Sequence, residues 1–290
     1  MPGPLLPGII SIGFSIFTFT KKSLARKQTY RVRYTNKLAE AGEAPVRPER
    51  KERVPLDPVI QQPYLEGKVL LINKPLHWTS FDVVRKLRSL LQIKKIGHAG
   101  TLDPLATGLL IVCTGKFTKK INEYMAQEKE YTGTFTLGAV TPTYDLESEP
   151  GQQKDFSFVT GEILRSATEK FTGETDQYPP IYSAIKKDGV ALYELARRGE
   201  AVELKSRRIF IRSFEITLIE LPVVHFKVVC STGTYIRSLA NDFGAELGCG
   251  AYLSSLCRTR IGEFRTEDAI DMDAFEQTLQ PLNPSTFKLL

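Results

Sequence analysis

The sequence predicts an α+β fold around a mixed, mainly antiparallel sheet, and two observations carry that prediction. Strand-like segments follow one another without a helix between them, and amphipathic helices are interspersed without alternating strictly with strands. Val69 to Asn73 is a short apolar run of strand length. Thr79 to Leu91 has helical spacing: Val84, Leu87 and Leu91 share a face, Thr79 stands where an N-cap belongs and Asp82 lies in the first turn. Leu109 to Thr114 is almost continuously apolar, as a buried strand is. Glu130 to Gly138 sets Tyr131, Gly133, Phe135 and Leu137 on one side and Thr132, Thr134 and Thr136 on the other, the period of a half-buried strand. Ile209 to Leu221 and Val223 to Val229 read as a strand pair broken at Pro222. Ile236, Leu239, Ala240, Phe243 and Leu247 then mark a helix that stops at Gly248.

The whole chain sets broader bounds. Its 290 residues suffice for one or two domains with a real core. Cys113, Cys230, Cys249 and Cys257 are scattered and contain no Cys-x-x-Cys pair, which points to free, mostly buried thiols in a reducing compartment. His77, His98 and His225 have no zinc-ligand spacing, so no metal is expected. The net charge of +6 suggests a polyanionic partner until it is located. Residues 1 to 60 hold 11 Lys or Arg against 5 Asp or Glu, leaving 28 of each sign for residues 61 to 290. The body is therefore neutral, and RNA binding would need local patches. Residues 1 to 60 combine an apolar stretch broken by Pro7, Gly8 and Gly13, a basic run, and a segment rich in proline and charge. We read them as an extension outside the folded core, disordered or a mis-assigned start; a transit peptide and a weak membrane anchor are the alternatives.

Two local features stand out. Gly97 to Gly108 has glycines at 97, 100 and 108 and an Asp103-Pro104 step, which holds Asp103 extended in a rigid turn. Alone, this describes a structural turn as well as a site. A phosphate loop is excluded, because Leu110 stands five residues before Gly115 and Phe117 follows Lys116. Arg237 falls in the first turn of its helix, where the dipole disfavours a cation by about 0.3 to 1 kcal/mol. It either points into water or meets a carboxylate or phosphate.

Gly97-His98-Ala99-Gly100-Thr101-Leu102-Asp103-Pro104-Leu105-Ala106-Thr107-Gly108 resembles the signature loop of the TruB family of tRNA pseudouridine synthases. Asn73-Lys74-Pro75 with Trp78 to Asp82 resembles that family's first motif, Glu130-Tyr131 its tyrosine motif, and Tyr178 to Lys186 its central one. Gly233 to Leu239 resembles the arginine motif, and Leu253 to Arg260 the closing leucine-arginine strand. Six motifs in family order span residues 68 to 262.

The resemblance implies a pseudouridine synthase fold with a cleft across the sheet, and isomerisation of the T-loop uridine conventionally numbered 55. It assigns catalysis to Asp103, with Arg237 as the partner that places it and Tyr131 stacking on the flipped base. Leu256 would wall the base, His98 would fill the vacated space in the RNA stack, and Lys74, Tyr182, Lys186 and Arg258 would contact substrate. The basic pairs Lys94 and Lys95, Lys186 and Lys187, Arg207 and Arg208, and Arg258 and Arg260 are the candidate RNA contacts. No cofactor and no metal are expected, the partner is the tRNA T-arm, no protein partner is required, and a cytoplasmic monomer is expected. Many relatives have Gly where this chain has His77. After Gly262 only 28 residues remain, fewer than the roughly 50 of a small domain. We therefore expect a catalytic domain over residues 61 to 290 without the PUA module of many relatives. A tRNA-folding factor and a synthase for ribosomal or guide-directed RNA are the competing readings.

Overall fold

A computed structural model describes residues 55–183, 185–187, 189–198 and 204–279, so most of the expected extension lies outside the described residues. In chain order the elements are helix α1 (Pro58–Glu66), strand β1 (Val69–Lys74), α2 (Ser80–Leu91), β2 (Ile96–Ala99), β3 (Ala106–Thr114), α3 (Ile121–Ala126) and β4 (Lys129–Leu137). There follow α4 (Gly161–Glu169), β5 (Gly173–Gln177), β6 (Lys186–Lys187), β7 (Val190–Ala191) and α5 (Leu192–Arg197). The chain continues through β8 (Arg207–Glu220), β9 (Val223–Cys230), α6 (Ile236–Glu246), β10 (Ala251–Ile261), β11 (Phe264–Arg265), β12 (Ile270–Asp271) and α7 (Met272–Thr278).

The sheet runs β12-β1-β3-β10-β4-β9-β8-β5, with β2 on β3 and β11 on β10. Among the described strand pairs of this sheet β1–β12 and β3–β10 are parallel and the others antiparallel, so the expected mixed, mainly antiparallel sheet is what forms. β10, late in the sequence, lies between β3 and β4 and closes the middle of the sheet. Three apolar clusters hold the helices; the smallest seats Ile121 and Tyr124 of α3 on Ala99, Leu109, Ile111 and Ile261. α4 and α6 pack on β4, β8, β9 and β10 through Phe135, Phe214, Phe226 and Phe243, with Phe135 and Phe226 stacked at 4.1 Å and Phe214 edge-on to Phe243 at 5.2 Å. α2 seats Val83, Val84, Leu87 and Leu91 on Ile72, Leu110 and Val112, and Phe275 of α7 joins them.

Each expected element is present, with shifted ends. Thr79 caps α2 as expected, in a full capping box: Thr79 Oγ accepts from Asp82 N at 3.0 Å and Thr79 N donates to Asp82 Oδ2 at 3.0 Å. β3 begins three residues before Leu109, because Ala106 already pairs with Leu256 of β10. α1 and α4 were not expected. α1 crosses the boundary drawn at residue 60: Leu56 and Ile60 pack on the α2 cluster. α4 carries its own signal, a Thr160 cap followed by Leu164, Ala167 and Thr168 on one buried face. Among the described residues no helix is long and apolar enough to cross a membrane. Cys113, Cys230 and Cys249 are buried free thiols as expected, while Cys257 is half-buried; burial pushes Cys113 up to about 11 and Cys230 to about 12, far from thiolate reactivity.

Gly244 lets α6 close on the start of β10. A Cβ there would lie 1.9 Å from Ala251 N. Gly244→Ala should therefore cost about 1 to 3 kcal/mol by overpacking, read as a lower urea midpoint at unchanged m-value.

Candidate active site

Asp103 sits in the turn between β2 and β3, and the Asn73 to Asp82 segment fixes that turn from beneath. Ser80, the first residue of α2, clamps both main-chain groups of Leu102: its Oγ accepts from Leu102 N at 2.8 Å and donates to Leu102 O at 3.2 Å. Lys74 is fully buried, and its Nζ donates to the carbonyls of Pro75 at 3.0 Å, Trp78 at 2.5 Å and Pro104 at 3.4 Å. His77 N donates to Pro104 O at 2.8 Å. The φ of His77 is 67°, in the left-handed region that suits glycine, which accounts for glycine in relatives at this place. Lys74, expected to contact substrate, is corrected here: the ammonium is sealed off and braces the main chain on either side of Asp103.

Arg237 resolves its two readings in favour of a partner. Its Nε donates to Asp103 Oδ2 at 2.9 Å and its Nη2 to Asp103 Oδ1 at 3.2 Å, a two-point grip on the carboxylate. Nη1 donates to Thr143 O at 3.2 Å and Tyr182 O at 3.1 Å. Behind it lies Asp145, whose Oδ2 is 3.6 Å from Nε. The Arg237 and Asp145 side chains are 5% and 4% exposed and that of Asp103 is 37% exposed, so only Asp103 presents its charge to an incoming ligand. Gln177 places the helix start: Tyr235 N donates to its Oε1 at 2.8 Å and its Nε2 donates to Tyr235 O at 3.0 Å. Sequence reasoning missed Asp145 and Gln177. An aspartate in the Thr-rich run Thr141 to Asp145 has no periodicity to mark it as buried.

Asp103 and Arg237 edge a cavity of about 370 Å³ that Lys129, Tyr131, Ser183, Leu256 and Arg258 also line. β10 brings Leu256 beside Ala106 of β3 and Gly133 of β4, and sets Arg258 opposite Tyr131. Gly108 permits that approach: its φ is +96° and a Cβ would lie 2.4 Å from Arg258 O. Arg258 is only 1% exposed, with Nε on Leu109 O at 2.8 Å and Nη2 on Gly100 O at 3.1 Å. Arg258, expected to contact substrate, lines the cavity, and its guanidinium ties the Asp103 loop to β3. Burial raises the Tyr131 phenol, against a smaller lowering by Arg258, so it is a neutral O–H. Lys129 is also buried, its Nζ bound to the carbonyls of Met125 and Gln127, and burial aided by Arg258 brings it down to about 8.

The other expected residues fall differently. His98 lies on β2, half-buried and outside the cavity lining; burial lowers its pKa, and its Nδ1 has no partner among the described residues. Tyr182 reaches the site through its carbonyl on Arg237, and its side chain is not in the lining. Lys186 is placed by its main chain in β6, and its side chain lies outside the described residues. Arg207 lies over the Tyr235 ring at 5.8 Å, while Arg208 faces Asp176 at 3.3 Å and Arg260 faces Glu128 at 3.1 Å. Lys94 and Lys95 are exposed. Among the described residues no group of three or more His, Cys, Asp or Glu could hold a metal ion.

Residues 88–236 match the model for the TruB family pseudouridylate synthase N-terminal domain, and residues 237–284 match that for the tRNA pseudouridylate synthase B C-terminal domain. The chain belongs to the TruB family. It is 57% identical to tRNA pseudouridine synthase B of Flavobacterium johnsoniae over 224 residues, 75% of this chain and 98% of that protein. It is 48% identical to the protein of the same name from Phocaeicola vulgatus, over 74% of this chain and 94% of that one. A chain in the crystal structure of a Cbf5-Nop10-Gar1 complex has the same pseudouridine synthase fold, with a TM-score of 0.59 and 29% identity over 82% of this chain. The match spans 61% of that chain's length. The boundary between the two TruB models falls between Ile236 and Arg237, within the first turn of α6. The site straddles it, with Asp103 and Tyr131 on one side and Arg237, Leu256 and Arg258 on the other.

Burying the Lys129 ammonium gives a pH signature. Its ordinary value is 10.5 and its folded value about 8, so between these the unfolded chain holds a proton that the folded chain has shed. Stability should rise with pH across that window and be lowest below 8. Urea unfolding from pH 7.5 to 10 should show a steeper rise for the natural protein than for Lys129→Met; equal slopes would remove the assignment.

Proposed function

We propose that this protein isomerises the T-loop uridine conventionally numbered 55 in tRNA to pseudouridine, with Asp103 as the catalytic carboxylate. The observation that carries the reading is Asp103 itself: a partly exposed carboxylate gripped at two points by buried Arg237, at the edge of a cavity lined by Tyr131 and Leu256. Support also comes from the relatives named tRNA pseudouridine synthase B, which align over nearly their whole length.

The reaction breaks the bond from ribose C1′ to uracil N1 and forms one from C1′ to C5. The C5 proton leaves and N1 takes a proton, so electrons balance within the nucleotide and neither a redox cofactor nor a metal is required. The protein must extract the base from its stack, keep the detached uracil, and present a carboxylate to the sugar or base. The cavity is of small-ligand size. Asp103 adds to the base, attacks C1′ or removes a ribose proton; in each route Arg237 aims it, and Asp145 holds Arg237 from behind. Tyr131 offers a flat ring for stacking and a neutral hydroxyl that relays the C5 proton by accepting one as it passes its own on. Leu256 forms the apolar wall that retains uracil, and His98, on the strand leading to the Asp103 loop, fills the gap left in the RNA stack.

The reading extends to recognition of the T-arm by shape, consistent with the neutral body, and to a catalytic unit of residues 61 to 290 working as a monomer without a protein partner. Bacterial relatives named tRNA pseudouridine synthase B support the further reading of a cytoplasmic enzyme.

Asp103→Asn should lower single-turnover pseudouridine formation on unmodified tRNA by at least roughly 10³-fold while leaving tRNA affinity within about twofold. Arg237→Lys keeps the charge but loses the two-point grip, and a loss of roughly 10²-fold is expected. Full activity in the asparagine variant would sink the mechanism.

A further inference from the structure

Four buried side-chain atoms lack a hydrogen-bond partner among the described residues: Arg88 Nε, His98 Nδ1, Gln127 Oε1 and Ser183 Oγ. Of the four residues, only Ser183 lines the cavity. Its residue is 4% exposed, and its main chain is fully engaged, N to Ile181 O at 3.0 Å and O from Tyr193 N at 3.1 Å. A serine hydroxyl shut away from water without a partner costs about 1 to 3 kcal/mol, so a site that keeps one gains when a ligand supplies the missing bond.

The position of Ser183 says which part of the ligand that is. The preceding residue, Tyr182, gives its carbonyl to Arg237 Nη1 at 3.1 Å, and the same guanidinium holds Asp103 at 2.9 Å. Ser183 therefore belongs to the Asp103 end of the cavity, where the C1′ edge of the sugar must lie. The aromatic and apolar walls, Tyr131 and Leu256, take the base. Two polar groups flank C1′ on a ribonucleotide: the ring oxygen O4′, which only accepts, and the 2′-hydroxyl on C2′, which both donates and accepts as serine does and which a deoxyribonucleotide lacks.

We propose that Ser183 Oγ hydrogen-bonds the ribose 2′-hydroxyl of the flipped uridine, making Ser183 a specificity-determining residue that selects RNA over DNA at the target nucleotide. The assignment rests on the proposed uridine isomerase reading. It requires that the hydroxyl contribute to the bound complex and not to the free fold.

The test is a double-mutant cycle between protein and substrate. T-arm stem-loop RNAs carrying uridine or 2′-deoxyuridine at the target position are titrated against the natural protein and Ser183→Ala, and single-turnover product is followed in parallel. Removing either hydroxyl should weaken binding or turnover about three- to tenfold, and removing both should cost no more than removing one. Ser183→Ala should melt at the same temperature or higher, and Ser183→Cys, which keeps the size and weakens the hydrogen bond, should show most of the loss. Additive losses, or a lower melting temperature for Ser183→Ala, would overturn the contact. A non-additive cycle in affinity with no pseudouridine formed would keep the contact and defeat the isomerase reading, which separates the two failures.

Discussion

Everything at the site hangs on the buried guanidinium of Arg237. A charge so enclosed is expensive unless its donors are met, and its partners come from separate parts of the fold. Asp103 comes from the β2–β3 turn, Thr143 and Asp145 from the loop after β4, Tyr182 from the segment before β6, and Arg237 itself from α6. The guanidinium is thus the junction of four chain segments and also the device that aims the exposed carboxylate. Asp145, as buried as Arg237, supplies negative charge behind it, which leaves Asp103 free to turn its outer face to a ligand.

A second pattern runs through the site. Lys74, Lys129 and Arg258 are buried cations that spend their donors on main-chain carbonyls and not on carboxylates. Lys74 and Arg258 brace the Asp103 turn from opposite sides, through Pro104 and Gly100. The basic residues of the motifs thus act more on loop geometry than on surface affinity.

The central position of β10 explains why the two family models divide the sequence but not the site. Strand β10 pairs with β3 on one edge and β4 on the other, joining Asp103's strand to Tyr131's strand through Leu256 and Arg258. Neither segment has a complete cavity without it. Gly108 and Gly133 make room for this late strand, since a Cβ on either would lie within 2.4 Å of a β10 carbonyl.

The sequence by itself determined the local elements and the family. The 3.6-residue spacing of α2 and α6, the alternation in β4 and the Thr79–Asp82 capping box are short-range properties, legible because neighbours along the chain decide them. Asp103, Tyr131 and Arg237 were legible as an ordered set of motifs, whereas the Asp103 turn examined alone was ambiguous. Tertiary structure decided the rest. It showed that Lys74 is sealed behind the site, that Arg258 lines the cavity with its guanidinium held by main-chain carbonyls, that Tyr182 contributes a carbonyl, and that Asp145 and Gln177 belong to the framework. The physical reason is range: burial and hydrogen-bond partners are set by segments more than 50 residues apart, as for Gln177 and Tyr235, or more than 130, as for Asp103 and Arg237. No local pattern of residue types encodes which of two lysines will face water and which will hold a loop.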